Sequence, residues 1–191
     1  MYQKVLLVSI TTLALGVAGI PTAAGHGGGA QRTHVIEAQD DCDVSTFNLA
    51  VGAGTCVGNG ETTFPDFIAE LVDEGAVDDW NFDPDELKIR SGDTLEVRGE
   101  GGEFHTFTRV KEFGGGCVPE LNAILKLSPV AECKDLVTLP DGSKIPRGFA
   151  EDGVPPGSEL SVSGLSVGSQ KFECLIHPWM HAEVKVRAAH R

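Results

Sequence analysis

The chain has 191 residues, 41% of them hydrophobic, which is enough for one domain with a buried core. Its formal net charge is −13, and residues 34–103 alone contain 18 acidic and three basic side chains. This negative field excludes nucleic acid and anionic membrane surfaces as binding partners, and it suits either a cationic partner protein or a role in solubility or high-salt adaptation.

The N-terminal residues predict an export signal. Residues 1–24 contain a lysine, an apolar run from Val5 to Ile20 and small residues at Ala23 and Ala24, the pattern of a cleaved signal peptide. Glycines and a proline break the run, so stable membrane insertion after processing is not expected. We therefore expect a periplasmic or extracellular protein, whose residues 25–33 form a flexible, glycine-rich lead-in.

The five cysteines are interpreted in that exported context, where thiols tend to pair. Cys42 lies 14 positions before Cys56, and Cys117 lies 16 positions before Cys133. We prefer these two local disulfides among the three connectivities open to four cysteines. Cys174 is then left over, and a metal ion is the obvious partner for a fifth thiol.

Residues 34–79 predict a helical extension that carries the Cys42–Cys56 pair. In "TTFPDFIAELVDEG" the apolar residues recur at helical spacing, Thr63 suits the N-cap and Gly75 suits the end of the helix. We expect this helix to pack on the core.

From residue 80 to residue 191 the chain predicts a domain of short strands. "ELKIRSGDTLEVR" alternates apolar and polar residues around a turn at residues 91–93, and "HTFTRVK", "ELSVS", "QKFEC" and "EVKVR" continue the pattern. "CVPELNAILKLSPVAEC" predicts a helical insertion closed by its own disulfide, and "LPDGSKIPRGFAEDGVPPG" predicts a loop. Many short strands between glycine and proline turns indicate a mainly β fold, a β-sandwich.

The final strands carry an unusual set of side chains. Cys174, His177 and Met180 follow one another at intervals of three residues. A thiolate and a thioether are soft ligands, and two imidazoles with one thiolate and a weak axial Met form an electron-transfer copper site. The second imidazole must come from another strand, and His105 in "GEFHTFTRV" is the natural candidate.

The other histidines fit this role less well. His26 and His34 precede the strand domain and His190 follows it, although His26 could bind copper if processing left it at the new N-terminus. His181 follows Met180 directly and should point to the opposite face of its strand. We expect His181 to face solvent, with a minor alternative in which it tunes or replaces a ligand.

"CLIHPWM" together with "HTFT" resembles the cupredoxin family of type 1 (blue) copper proteins, and the Cys-x-x-His-x-x-Met spacing is similar to the short ligand loop of amicyanins. The resemblance spans residues 80–187. It implies a Greek-key β-sandwich that binds one mononuclear copper, with His105, Cys174 and His177 as equatorial ligands and Met180 as the axial ligand. It also implies an exposed edge on His177 through which electrons leave. Pro178 and Trp179 would form a docking patch beside that edge, with core packing an equal alternative for Trp179.

Other site chemistries fit the sequence less well. A binuclear copper centre needs a second cysteine in the ligand loop, and a structural zinc site needs more Cys and His ligands. A catalytic Cys174–His177 pair lacks an orienting partner, and a purely structural Cys and Met would leave the odd thiol unexplained.

Three functions remain open. The expected one is a monomeric electron carrier without enzymatic activity of its own, which exchanges electrons with a redox partner protein. The second is a protein that sequesters or delivers copper with the same ligands, and a weaker third is an interaction module with a cupredoxin-like fold.

Overall fold

The computed structural model describes residues 30–189. The predicted signal peptide, His26 and His190 lie outside the described residues. None of the helices between residues 30 and 189 has the length and apolar character needed to cross a bilayer.

Two four-stranded sheets form the body of the molecule, and two separate two-stranded pairs accompany them. The strands in chain order are β1 (Thr33–Gln39), β2 (Asn81–Asp83), β3 (Glu86–Arg90), β4 (Thr94–Gly99), β5 (His105–Thr106), β6 (Thr108–Val110), β7 (Leu136–Thr138), β8 (Lys144–Pro146), β9 (Gly153–Val154), β10 (Glu159–Val162), β11 (Gly168–Glu173) and β12 (His181–Arg187). The helices are α1 (Val44–Ala50), α2 (Phe64–Glu74), α3 (Pro119–Leu125) and α4 (Arg147–Glu151), with a 3₁₀ turn at Ala131–Lys134.

The first sheet has the order β10-β4-β1-β2 and the second has the order β3-β12-β11-β6. Parallel pairs, β1 with β4 and β12 with β3, occur beside antiparallel ones in both sheets. An aromatic stack joins the layers, since Phe107 lies 5.1 Å from the ring of Phe82 in β2 and 4.2 Å from the ring of Phe172 in β11. The predicted mainly β sandwich is confirmed.

The turn at residues 91–93 moves the chain from one sheet to the other. It follows β3 in the second sheet and precedes β4 in the first, so the two predicted strands are correct but do not pair with each other. Gly92 has a φ of +97°, a conformation that glycine adopts without steric cost. Leu95 and Val97 alternate inward along β4, as the period of two predicts.

The segment 34–79 differs in part from the predicted helical extension. The helix α2 forms as predicted, capped by the Thr63 hydroxyl and ended by Gly75 with a φ of +77°. The first residues of the segment, however, form β1, which lies between β4 and β2 in the first sheet. "THVIEAQ" alternates only weakly in hydrophobicity, and its pairing partners lie about sixty positions ahead in β4, so local pattern did not reveal the strand.

Both predicted disulfides are confirmed, Cys42–Cys56 and Cys117–Cys133. The helical insertion between Cys117 and Cys133 is also as predicted and contains α3. The loop prediction for residues 139–157 and their surroundings was wrong in part, because β7 and β8 form a hairpin there and α4 and β9 follow. The Pro-Asp-Gly-Ser sequence that suggested a loop is the hairpin's turn, where the Leu139 N–H donates to the Ser143 carbonyl at 2.8 Å.

Candidate metal centre

Three predicted ligands meet at one end of the sandwich. His105 begins β5, Cys174 follows β11, and His177 lies in the turn before β12, and one ligand atom of each lies within 4.8 Å of the others. The Cys174 Sγ is 3.9 Å from the Nδ1 of His105 and 3.9 Å from the Nδ1 of His177. A trigonal ion with metal–nitrogen bonds of about 2.0 Å and a metal–sulfur bond of about 2.3 Å would require about 3.7 Å between the nitrogen and the sulfur. The spacing therefore fits one ion between the three side chains.

Met180 closes the ligand loop. Its N–H donates to the His177 carbonyl at 2.9 Å, and its own carbonyl accepts from the Cys174 N–H at 3.1 Å. These bonds hold residues 174–180 in a tight loop, and the Met180 side chain is buried with the core. Met180 therefore lies in the same short loop as Cys174 and His177, and its ligation of a metal ion stays a prediction.

The other described histidines lie in different surroundings. The His34 Nε2 pairs with Asp93 at 2.9 Å. The His181 ring stacks on Phe113 with centroids 3.9 Å apart, and its Nε2 lies 3.7 Å from a Glu173 carboxylate oxygen. His181 is thus half-buried against another side chain rather than freely facing solvent, and it is not a member of the His105 cluster.

A buried carboxylate orients His105. The Asp40 carboxylate accepts from the His105 Nε2 at 2.9 Å and from the N–H groups of Gly102 and Glu103 at 2.9 and 3.0 Å. Because Asp40 holds a proton on Nε2, Nδ1 is the nitrogen that faces Cys174 and that would bind a metal ion. Burial raises the pKa of Asp40, but the hydrogen bonds with His105 and Glu103 outweigh it and lower that pKa to about 2.

A second carboxylate lies on the outer nitrogen of His177. Glu103 Oε2 is 3.4 Å from the His177 Nε2 and accepts from the Trp80 indole N–H at 2.8 Å. Burial raises the pKa of Glu103 above its ordinary value, in spite of the opposing effect of His177. Each imidazole therefore has the Cys174 sulfur on its inner side and a carboxylate on its outer side.

The extension and its neighbours cover His177. The ring centroids of Phe67, Trp80 and Trp179 lie 6.2, 6.4 and 5.4 Å from that of His177. Only 3% of His177 is exposed, so the expectation of an exposed ring edge is wrong. The physical reason is α2, which places Phe67 over the ligand loop. Trp179 packs on Phe67 at 5.8 Å, which supports packing rather than a free docking patch.

The electrostatics of the centre favour a thiolate. Burial on its own would raise the pKa of Cys174, but hydrogen bonds with His105 and His177 lower it well below the ordinary value. Burial likewise opposes a charged His105, yet the contacts with Asp40 and Cys174 raise its pKa to about 9. A preformed thiolate between two imidazoles is the state that binds a soft metal ion.

The sulfur also receives a backbone hydrogen bond. The Thr106 N–H donates to the Cys174 Sγ at 3.5 Å, and the Thr106 hydroxyl accepts from the Leu175 N–H at 2.8 Å. Thr106 is fully buried and fixes both the sulfur and the residue after it. Hydrogen bonds to a ligating sulfur tune the properties of the bound metal.

Asp40 and Glu103 were not predicted from the sequence. Both stand among many acidic residues of the same stretch, and the most direct interpretation of such residues is a solvated surface. Glu103 has one weak sequence signal, because it follows two glycines and lies close to His105, whereas nothing in the local sequence separates Asp40 from the other carboxylates.

Solved structures similar to this one include a cupredoxin, a plastocyanin and several amicyanins. A purple cupredoxin from Nitrosopumilus maritimus is 14% identical, with 80% of this chain and 98% of that chain covered and a TM-score of 0.40. Plastocyanin from Dryopteris crassirhizoma is 13% identical, with 81% and 100% covered and a TM-score of 0.35.

Amicyanin from Paracoccus versutus is 15% identical, with 59% of this chain and 77% of that chain covered and a TM-score of 0.35. No protein-family model and no curated protein matches the chain. The chemistry of the site therefore rests on this chain's own residues.

Proposed function

We propose that the chain is an exported type 1 copper protein that carries single electrons between redox partners. The observation that supports it is the spacing of 3.9 Å between the Cys174 sulfur and each inner imidazole nitrogen. A soft thiolate and two imidazoles in one plane, with a buried thioether in the same loop, form the ligand set that suits copper in both of its oxidation states.

In this proposal His105, Cys174 and His177 are the equatorial ligands of one copper ion and Met180 is the axial ligand. When bound, copper supplies a one-electron couple. The protein supplies a rigid cage, because Asp40 orients His105, Thr106 donates to the sulfur, and the loop hydrogen bonds fix residues 174–180. Because these contacts fix the ligands in place, little structural rearrangement is needed when an electron arrives or leaves.

An enzymatic role for the thiol has less support. Cys174 is fully buried, and its neighbouring imidazole nitrogens point at the sulfur from inside the protein. A nucleophilic cysteine needs room for a substrate beside its sulfur. We therefore propose a carrier rather than an enzyme.

Copper sequestration is the second candidate, and the burial of His177 favours it. A covered site retains its ion and slows exchange with partners. Fast, reversible oxidation and reduction with the metal retained would support the carrier, whereas sluggish exchange in a protein that binds copper tightly would support sequestration. Delivery to an acceptor protein requires that the cover over His177 open.

The partner is proposed to be a cationic redox protein that meets a monomer of this chain outside the cytoplasm. Acidic residues dominate positions 34–103, the stretch that contributes Phe67 and Trp80 to the covered edge of the site. Opposite charge accelerates encounter, and redox complexes are typically small and weak.

The decisive experiment is the visible and electron paramagnetic resonance spectrum of the copper-loaded protein and of Cys174→Ser. We expect an intense visible band from the thiolate–copper bond in the wild type and its loss in the variant. His34→Gln, at a histidine outside the cluster, is the control and should keep the band. A wild-type spectrum without the band, or a band that survives in Cys174→Ser, would contradict the proposal.

A further inference from the structure

A cavity opens beside the candidate metal centre. It has a volume of about 690 Å³ and lies between α1 and α2 on one side and α3 on the other. Its lining includes His177 and Glu103, so the cavity reaches the outer side of a proposed ligand. Sites for small molecules generally have volumes of about 300–1,000 Å³, and this cavity falls within that range.

The walls of the cavity are largely aromatic and aliphatic. Both additions to the sandwich contribute, the extension through α1 and α2 and the disulfide-closed insertion through α3. The aromatic lining residues are Phe47, Phe64, Phe67, Phe104 and Phe149. Phenylalanine rings favour offset or edge-to-face contacts with another ring, so the walls suit a planar aromatic molecule.

One acceptor in the cavity is available to a ligand. Glu103 is buried, and its Oε2 already accepts from Trp80. Within residues 30–189 its Oε1 makes no hydrogen bond, although Glu103 lines the cavity. A ligand hydroxyl can therefore donate to Oε1, and a hydrogen bond to a charged acceptor is stronger than one between two neutral groups.

The charge of the lining selects among ligands. The two acidic lining residues are Glu103 and Glu120, and no lysine or arginine lines the cavity. An anionic ligand would face these carboxylates without a compensating cation, so burying its charge would be unfavourable. An uncharged ligand that carries a hydrogen-bond donor meets no such penalty.

We propose that this cavity binds a small, uncharged aromatic alcohol of the phenol or hydroquinone class, with its ring among the phenylalanines and its hydroxyl donating to Glu103. The bound molecule contacts His177 from the side that α2 closes to large partners. This site goes beyond the proposed electron carrier, because binding here depends on the cavity and Glu103 and not on copper.

Isothermal titration calorimetry of the full chain, loaded with copper, tests the proposal with two probes of the same shape. 4-Fluorophenol carries the donor hydroxyl, and 4-fluorotoluene has a methyl group of similar size in its place. We expect the phenol to bind about ten-fold more tightly or better, the difference that one hydrogen bond to a buried carboxylate provides. Equal affinities of the two probes for the wild type would overturn the proposal, as would no binding of the phenol.

Three variants locate the site. Glu103→Gln keeps an oxygen for Trp80 but turns an amide N–H₂ toward the cavity, so the preference for the phenol should disappear. Ile124→Trp should fill the cavity and abolish binding of both probes, while Val72→Trp, on the exposed face of α2, should bind the phenol as the wild type does. Unchanged phenol binding by Ile124→Trp would place the ligand elsewhere and overturn the proposal.

The same samples separate this proposal from the proposed function. The visible spectrum reports the copper–thiolate bond, and the calorimeter reports the cavity. Phenol binding without the visible band would contradict the copper site alone, and the band without phenol binding would contradict the cavity proposal alone.

Discussion

Asp40 and Glu103 give each imidazole of the candidate centre a carboxylate on its outer nitrogen, at 2.9 and 3.4 Å. A carboxylate in this position makes the imidazole a stronger donor and fixes its orientation. Stronger donors and added negative charge stabilise the more highly charged state of a bound ion. We therefore expect these two residues to lower the reduction potential of the copper centre.

Asp40→Asn tests the contribution of the first carboxylate. The variant retains one oxygen for the backbone N–H groups but loses the charge beside His105, so we expect a higher reduction potential. Copper affinity should fall by about 10- to 100-fold, the usual effect of removing such a partner. Voltammetry and a competition titration with a chelator measure the two quantities.

Asp41→Asn is the matched control for that variant. Asp41 is the next residue, and its carboxylate accepts from the N–H groups of Glu61 and Thr62 rather than from a histidine. The reduction potential of Asp41→Asn should equal that of the wild type. An equal shift in both variants would show that Asp40 acts only through general charge or stability.

Some residues of the site can be predicted from the local sequence, and others cannot. Cys174, His177 and Met180 were predicted because their spacing and chemistry are visible in one short segment, and the structure groups the first two with His105. Their ligation of copper stays a prediction. Asp40 was not predictable, because it meets His105 across 65 positions and its neighbours include other acidic residues.

The helix α2 acts as the cover of the centre. Phe67 packs on Trp80 at 4.8 Å, on Phe47 at 5.4 Å and against His177 at 6.2 Å. The amphipathic pattern of α2 could be predicted from its sequence, but the surface that it covers could not. That surface is made by strands and loops far along the chain.

Phe67→Ala should therefore both destabilise the protein and uncover His177. We expect the free energy of unfolding to fall by about 3–5 kcal/mol and electron exchange with a small soluble complex to become faster. Urea unfolding and stopped-flow reduction measure the two effects. Val72→Ala, on the exposed face of the same helix, should change the free energy of unfolding by less than about 0.5 kcal/mol and leave the rate of electron exchange unchanged. Faster electron exchange in both variants would contradict the role of Phe67 as the cover of His177.

The turn between β3 and β4 is joined to β1 by one carboxylate. Asp93 accepts from the N–H groups of Arg90 and Arg32 at 3.0 and 3.1 Å and from the His34 ring at 2.9 Å. The Arg90 backbone hydrogen bond, followed by that of His34, lowers the pKa of Asp93 to about 2. An unfolded aspartate has a pKa of about 3.9. The ionised Asp93 carboxylate therefore stabilises the folded state above pH 4, and this stabilisation is lost as the pH falls toward 2.

We expect Asp93→Asn to lower the unfolding temperature at pH 7 and to resemble the wild type more closely at pH 2.5. Thermal unfolding followed by circular dichroism at both pH values measures the difference. Asp73→Asn, at an exposed helix position, is the control and should change little at either pH. A difference between wild type and Asp93→Asn that stays constant from pH 7 to pH 2.5 would contradict the assigned role.

At the scale of the whole molecule, charge should determine which reagents the centre meets. The net charge of −13 attracts cationic complexes and repels anionic ones, and salt screens both effects. Reduction by hexaammineruthenium(II) should slow as ionic strength rises from about 0.01 to 1 M, over which the Debye length falls from about 30 to 3 Å. Reduction by hexacyanoferrate(II) should accelerate over the same range, and salt-independent rates with both reagents would contradict electrostatic steering.

The β-sandwich as a whole could be predicted because its strands alternate and its turns contain glycine and proline. The two disulfides could be predicted because their partners are close in sequence and the chain is interpreted as exported. The position of β1 and the hairpin β7–β8 could not, since the first depends on a distant parallel partner and the second resembles an ordinary polar loop.

The residues of the candidate metal centre come from distant parts of the chain, so the centre forms only when these parts fold together. Asp40 lies near the start of the described residues, His105 in the middle, and Cys174 to Met180 near the end. A proteolytic fragment that lacks either terminal third would retain some donors and lose the rest. The pocket for the ion thus needs residues from both ends of the described chain, and a fragment that begins after residue 40 should hold His105 without its orienting aspartate even though every donor atom survives.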